Sequence, residues 1–88
     1  MYEIEYSPEA ERELNKIIKS DKQSRKKLRK LIEELHEHPR TGTGKPELLK
    51  GTSYYSRRIT QKHRLVYEIL DSIVLVYVLV VSGHYEDK

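Results

Sequence analysis

Apolar and polar residues alternate at the start of the chain, where Tyr2, Ile4 and Tyr6 interleave with Glu3 and Glu5, the period of a strand with one buried face. The period changes at Ser7-Pro8, which reads as an N-cap followed by proline at the first helical position, with Glu9 and Glu11 on the favourable side of the helix dipole. Ala10, Leu14, Ile17 and Ile18 form one stripe and predict a helix from about Pro8 to Lys19. Ser20 and Asp21 break it and can cap a second helix. There Leu28, Leu31, Ile32 and Leu35 recur at helical spacing, and the helix should end near His38, before Pro39. So short a break implies a helical hairpin lying across one face of a sheet.

From Pro39 to Thr52 periodicity stops, and Gly42, Gly44, Pro46 and Gly51 mark turns. The spacing is not that of a phosphate-cradling P-loop. Leu48 and Leu49 are expected to anchor this loop to the core, holding Glu47 and Lys50 at its edge. Between Tyr54 and Ile69, two β-branched and aromatic runs flank a polar break, which predicts a hairpin. A two-residue turn at Gln61-Lys62 would mix Ile59 with Arg64 on one face. A three-residue turn of Gln61, Lys62 and His63 pairs Ile59 with Leu65 and aligns Tyr67 and Ile69 beside them, leaving Arg58, Thr60, Arg64 and Val66 on the opposite face. Asp71-Ser72 then turns into Ile73 to Ser82, almost continuously β-branched, as expected of a central strand or of one beside the N-terminal strand. The expected fold is α+β: an N-terminal strand, a helical hairpin and a three-stranded antiparallel meander, making one four-stranded sheet with two helices on one face.

At 88 residues the chain is expected to form a single domain, 1–88, with one modest core. Hydrophobic residues at 36% against 35% charged leave clear periodic segments, so the chain is expected to fold. Cysteine is absent, which removes disulfides and thiolate metal sites. No leader-like apolar stretch opens the sequence, and Ile73 to Val81 is too short to span a bilayer as a helix, so a cytoplasmic protein is expected, with no membrane partner. A net charge of +3 favours an anionic partner, either RNA or an acidic protein. Lys26, Lys27, Arg29 and Lys30 make the exposed side of the second helix basic; such a run serves as a solvated face or as contact to a large RNA surface.

Four residues from distant positions can together handle a phosphodiester. Glu47 would take a proton from a nucleophilic hydroxyl, His84 would return one to the leaving oxygen, and Arg58 and Arg64 would hold the charge developing on phosphorus. RNA carries its own nucleophile in the 2′-hydroxyl, so no metal or other cofactor is required. The bland readings stand beside this one: paired arginines also keep a strand face solvated, a loop glutamate is commonly surface, and a histidine near the end of a sequence is commonly a tail residue. Tyr54 and Tyr55 read as sheet packing, whereas Tyr85 beside His84 could stack on a base. His63 reads as a turn residue at the surface, and His36 and His38 as residues of a helix end, without the partners of a metal set.

Three stretches, Gly44-Lys45-Pro46-Glu47-Leu48-Leu49-Lys50, Ser56-Arg57-Arg58-Ile59-Thr60-Gln61-Lys62-His63-Arg64-Leu65-Val66-Tyr67 and His84-Tyr85, resemble the YoeB/Txe group of the RelE/ParE toxin superfamily, bacterial toxins that cleave mRNA on the ribosome. The resemblance implies a RelE-like fold. Its general base falls on Glu47, its transition-state arginine on Arg64 and its general acid on His84. Lys50 and Arg58 match phosphate-binding positions, and Arg57 and Tyr85 join them as expected RNA-binding residues. It also implies cleavage in the ribosomal A site to a 2′,3′-cyclic phosphate or 3′-phosphate. The implied partners are mRNA, the ribosome and a cognate acidic antitoxin of YefM/Axe type, through which alone operator DNA would be bound; a toxin homodimer is allowed. The sequence departs from the pattern in a shorter stretch between Lys50 and Ser56 and in the added Glu86-Asp87-Lys88, expected to point away from the site. Two other functions fit the same family: a ParE-like inhibitor of DNA gyrase, and a noncatalytic member that only binds its antitoxin. Neither needs an acid–base pair.

Overall fold

The computed structural model describes residues 1–20 and 22–81. The elements run β1 (Glu3–Tyr6), α1 (Pro8–Ser20), α2 (Lys22–Glu37), β2 (Glu47–Leu48), β3 (Tyr54–Arg58), β4 (Arg64–Leu70), a 3-10 turn (Asp71–Ile73) and β5 (Leu75–Val80). They form one sheet in the order β1-β5-β4-β3-β2, parallel between β1 and β5 and antiparallel elsewhere. Among the described residues, no helix is long and apolar enough to cross a membrane.

Ser7 starts α1 as expected, its Oγ accepting from the Ala10 amide at 3.0 Å, and also fastens the helix to the sheet by donating to the Leu79 carbonyl at 2.9 Å. The helical stripes meet one face of the sheet: Ala10 and Ile17 of α1 and Leu28, Leu31 and Leu35 of α2 share a buried cluster with Leu65, Tyr67, Val76 and Val78. Those strand residues sit two apart, as a one-sided core demands. β1 is tied to the far end of α2, where the Tyr2 amide donates to the His36 carbonyl and His36 Nδ1 donates back to the Tyr2 carbonyl, both at 2.7 Å.

Three expectations change. The sheet has five strands, because Glu47–Leu48 pairs with β3 at its edge. Two residues carry no period to read. Leu48 is 55% exposed rather than a core anchor, and the segment is held by backbone, with the Leu49 amide donating to Tyr54 at 2.8 Å. The hairpin register also differs: Arg58 pairs with Arg64, and the loop spans the five positions 59–63, closed by amides of Ile59 and Thr60 on the His63 carbonyl. A shift of two residues keeps every side chain on its expected face. Finally, β5 begins at Leu75, since the 3-10 turn leaves Val74 at φ +53 and Ile73 64% exposed. Arg40 and Tyr2 both bind Asp71, at 2.7 and 2.6 Å, and hold that turn.

Arg57 is the fourth correction. Alternation puts it on the core face, where it is 0% exposed and unavailable to RNA. Its Nε donates to Tyr67 Oη at 3.0 Å, Nη1 to Glu34 Oε1 at 2.8 Å and to the Thr43 carbonyl at 3.4 Å, and Nη2 to the carbonyls of His38 and, at 2.7 Å, Thr41. Burial pushes the Glu34 carboxyl up, but the Thr43 hydroxyl, the Thr43 amide and Arg57 outweigh it and leave its pKa below the ordinary 4.5. Gly44, at φ +87, accepts the Arg58 amide on its carbonyl at 2.7 Å; a Cβ there would lie 2.8 Å from the Arg58 carbonyl oxygen.

Two stability experiments follow. Gly44→Ala combines a disfavoured φ with a backbone clash and should cost more than about 1 kcal/mol in urea unfolding. A carboxylate with a depressed folded pKa binds fewer protons folded than unfolded, so its contribution is present above 4.5 and is lost as pH falls through the folded value. Glu34→Gln should therefore be less stable than the parent at neutral pH, with the gap narrowing below pH 4.5 in paired urea titrations. A gap that stays constant with pH would remove the charge from the account.

Candidate active site

The face of the sheet turned away from the helices carries the candidate catalytic residues of β2, β3 and β4. Cross-strand pairing sets Glu47 of β2 opposite Ser56 of β3, Ser56 opposite Val66 of β4, and Val66 opposite Val80 of β5, making one row across the sheet. Arg58 and Arg64 face each other two positions along the same strands, on the same side. The result is a carboxylate beside two guanidinium groups, brought from residues far apart in sequence by three antiparallel strands.

Glu47 Oε1 lies 3.9 Å from Arg64 Nη1, and the same nitrogen donates to Ser56 Oγ at 3.3 Å. Arg64 is partly covered, its side chain 27% exposed, whereas Glu47 is 64% exposed. At 3.9 Å the contact is a loose ion pair rather than a closed hydrogen bond, so the carboxylate retains acceptor capacity for another donor. Arg58 is exposed. Like charges directly opposite on a ladder cost roughly 0.2–1 kcal/mol, which an anion bound between Arg58 and Arg64 would offset. Lys50 is exposed in the turn joining β2 to β3, where Gly51 takes φ +77 and the Thr52 hydroxyl and amide both donate to the Leu49 carbonyl.

Of the residues singled out in the sequence, Glu47 and Arg64 thus meet, Arg58 stands beside them and Lys50 lies on the adjoining turn. Arg57 points to the other face. His84 and Tyr85 lie outside the described residues. Ser56 went unremarked in the sequence although alternation with Arg58 puts it on this face. The partnership of Glu34, Thr43 and Arg57 had no sequence signal, since its members come from a helix, a loop and a strand.

A second polar surface lies at the hairpin tip, on the helix side. A groove of about 1040 Å³ runs between the first half of α2 and the β3–β4 loop, lined by Lys26, Lys27, Lys30, Lys62 and His63 among others. Lys27 Nζ donates to the Ile59 carbonyl at 3.4 Å across it. The basic run of α2 therefore faces a concave trench, bounded by the loop that joins Arg58 to Arg64.

Comparison with known proteins identifies the family and the fold. Residues 6–85 match the family described as YoeB-like toxin of bacterial type II toxin-antitoxin system. The toxin YoeB of Mycobacterium bovis is 36% identical over 76 residues, covering 84% of this chain and 89% of that protein. A YoeB/ParE toxin from Agrobacterium tumefaciens superposes with a TM-score of 0.87 at 32% identity, over 94% of this chain and 99% of the other. The YoeB chain in a heterotetrameric YoeB-YefM complex from Staphylococcus aureus gives 0.81 at 35% identity, over 97% and 99%. With a match running through almost the whole sequence and a fold shared from end to end with solved relatives, this chain belongs to the YoeB-like toxins, within the RelE superfamily, of bacterial type II toxin–antitoxin systems.

Proposed function

We propose that the chain is a ribosome-dependent mRNA endoribonuclease of the cytoplasm, using Glu47, Arg64 and His84 on a substrate that supplies its own nucleophile. The observation that carries this reading is the loose Glu47–Arg64 pair on an open face, with Arg58 opposite Arg64. Glu47 takes the proton of a ribose 2′-hydroxyl, and the oxygen attacks the adjacent phosphorus. The bond from phosphorus to the 5′-oxygen breaks as His84 protonates that oxygen, giving a 2′,3′-cyclic phosphate and a free 5′-hydroxyl. Arg64 and Arg58, with Lys50 on the adjoining turn, hold the additional charge on the phosphoryl oxygens.

Each proton-transfer group is worth roughly 10²–10⁴-fold in rate. An arginine aimed at developing charge is worth about 2.7–4 kcal/mol, by analogy with the loss of one oxyanion donor. The described strand ends at Val80, in the same cross-strand row as Val66, Ser56 and Glu47. His84 is three residues past Val81, a reach of at most about 10–11 Å. Tyr85 beside it would stack on a base of the bound mRNA. The lysine-lined groove fits a large polyanion, and ribosomal RNA presents one around any mRNA held in the A site. A cognate acidic antitoxin would neutralise the toxin, as YefM accompanies YoeB in the Staphylococcus complex. Inhibition of gyrase and antitoxin binding alone remain the contrasting functions, and neither depends on Glu47 as a base.

Expression of the wild type beside Glu47→Gln, Arg64→Ala and His84→Gln, with RNA 5′ ends mapped, tests the reading. Codon-positioned cuts should appear with the wild type and fall by about 10²-fold or more in each variant. Gyrase-linked DNA breaks in place of RNA cuts, or full toxicity of His84→Gln, would overturn it. For the groove, replacing Lys26, Lys27 and Lys30 by alanine should weaken ribosome binding and flatten the slope of log affinity against log salt by about 2–3. An unchanged slope would return these lysines to a solvated face.

A further inference from the structure

We infer that Arg57 is a positioning residue for the cleavage step: its buried guanidinium fixes the segment that carries Glu47 to the strand that carries Arg58 and is paired with Arg64. This rests on the nuclease reading above for its kinetic consequence, though not for its structural one.

Removing a guanidinium from water costs several kcal/mol unless its donors are all met, and a small domain has little stability to spend on it. Arg57 meets the demand with acceptors drawn from one place. The carbonyls of His38, Thr41 and Thr43 all lie on the connection from α2 to β2, and the Glu34 carboxylate that takes Nη1 also accepts the Thr43 amide at 2.8 Å and hydroxyl at 2.7 Å. Tyr67, which receives Nε, passes its own proton to the Pro39 carbonyl at 2.7 Å. Arg57 thereby fastens His38, Thr41 and Thr43 from beneath, with Tyr67 holding Pro39 between them. The next residue in β3 continues the work, its amide bound to the Gly44 carbonyl at 2.7 Å, three positions before Glu47.

The connection is pressed onto this anchor. At Gly42 a Cβ would collide with the Glu34 carboxylate, and at Gly44 it would sit 3.2 Å from the Arg57 Cβ. The two glycines thus let the backbone lie close against Glu34, Arg57 and the Arg58 backbone. Because consecutive strand residues point to opposite faces, Arg57 and Arg58 divide the labour: one reaches inward to place the base-bearing segment, the other outward to the phosphate. A Lys at position 57 would keep the charge and lose the planar fork that reaches several carbonyls at once. Misplacement of a reacting group by about 1 Å can cost on the order of 10²-fold in rate.

The test uses the full chain as wild type, Arg57→Lys and Thr43→Val, each characterised by thermal unfolding. Single-turnover cleavage of ribosome-bound mRNA is measured at saturating ribosome, together with ribosome affinity and residue-resolved amide exchange. Arg57→Lys, and Thr43→Val more mildly, should slow cleavage by about tenfold or more and about threefold respectively while ribosome affinity stays within about twofold. The Arg58 and Leu49 amides, which bond to Gly44 and Tyr54, should lose protection while those of α1 keep theirs. Should Arg57→Lys fail to fold, Thr43→Val and Glu34→Gln carry the same comparison. A wild-type cleavage rate in folded variants, or a uniform loss of protection that tracks global stability, overturns the inference. If wild-type cleavage proves indifferent to Glu47→Gln, the nuclease reading falls instead, and the selective loss of Arg58 and Leu49 protection still decides whether Arg57 places this segment.

Discussion

A guanidinium with no exposure to water sits where the hairpin, the end of α2 and the loop before β2 come together, and most of the site's geometry can be traced to satisfying it. An apolar side chain of similar volume would fill the same space, and replacing a buried ion pair in that way is often neutral or stabilising. What an apolar residue could not supply is direction. The carbonyls of His38, Thr41 and Thr43 lie between α2 and β2, outside both elements, and a forked donor dictates where each must lie. The connection carries its polar backbone into the interior without an unmet buried side-chain group among the described residues.

The outer face of the same hairpin is built on the opposite logic. Arg58, Arg64 and Glu47 are left partly or wholly in water, where an ion pair contributes little to stability and its members stay available. Two guanidinium groups held opposite one another concentrate positive charge on this face, placed there by the strand ladder rather than by contacts between them. On the helix side, the lysines of α2 line a trench that ends at the β3–β4 loop. The hairpin tip therefore separates two cationic surfaces of different character: arginines with a carboxylate on a flat face, and lysines in a groove. Flexible point charges suit a sequence-independent backbone contact, whereas planar forks suit a defined phosphoryl geometry.

In this YoeB-like toxin one short chain supplies both a packed core and a charged outer sheet face. The core draws on α1, α2 and the inner residues of β4 and β5, while Glu47, Arg58 and Arg64 of β2, β3 and β4 lie on the opposite face of the sheet. In a domain this small the inner and outer faces of single strands cannot be specified independently, because a slip of one residue would exchange Arg57 with Arg58 and bury the wrong cation.

The helices, the meander and the assignment of Arg58 and Arg64 to an outward face were all legible in the sequence, because apolar periodicity states which side of each element is buried whatever it packs against. A register shift of two left that assignment intact. Glu47, Arg64 and His84 were picked out by chemistry and by resemblance; pairing across three strands brings the first two to 3.9 Å, and His84 lies outside the described residues. The edge strand at Glu47–Leu48, the exposed Leu48 and the partners that let Arg57 be buried were decided only in three dimensions. A local pattern records whether a side chain can be buried by apolar neighbours, and it has no term for an arginine buried by carbonyls from a loop more than a dozen residues away. Such a partner set exists only once the chain has closed on itself.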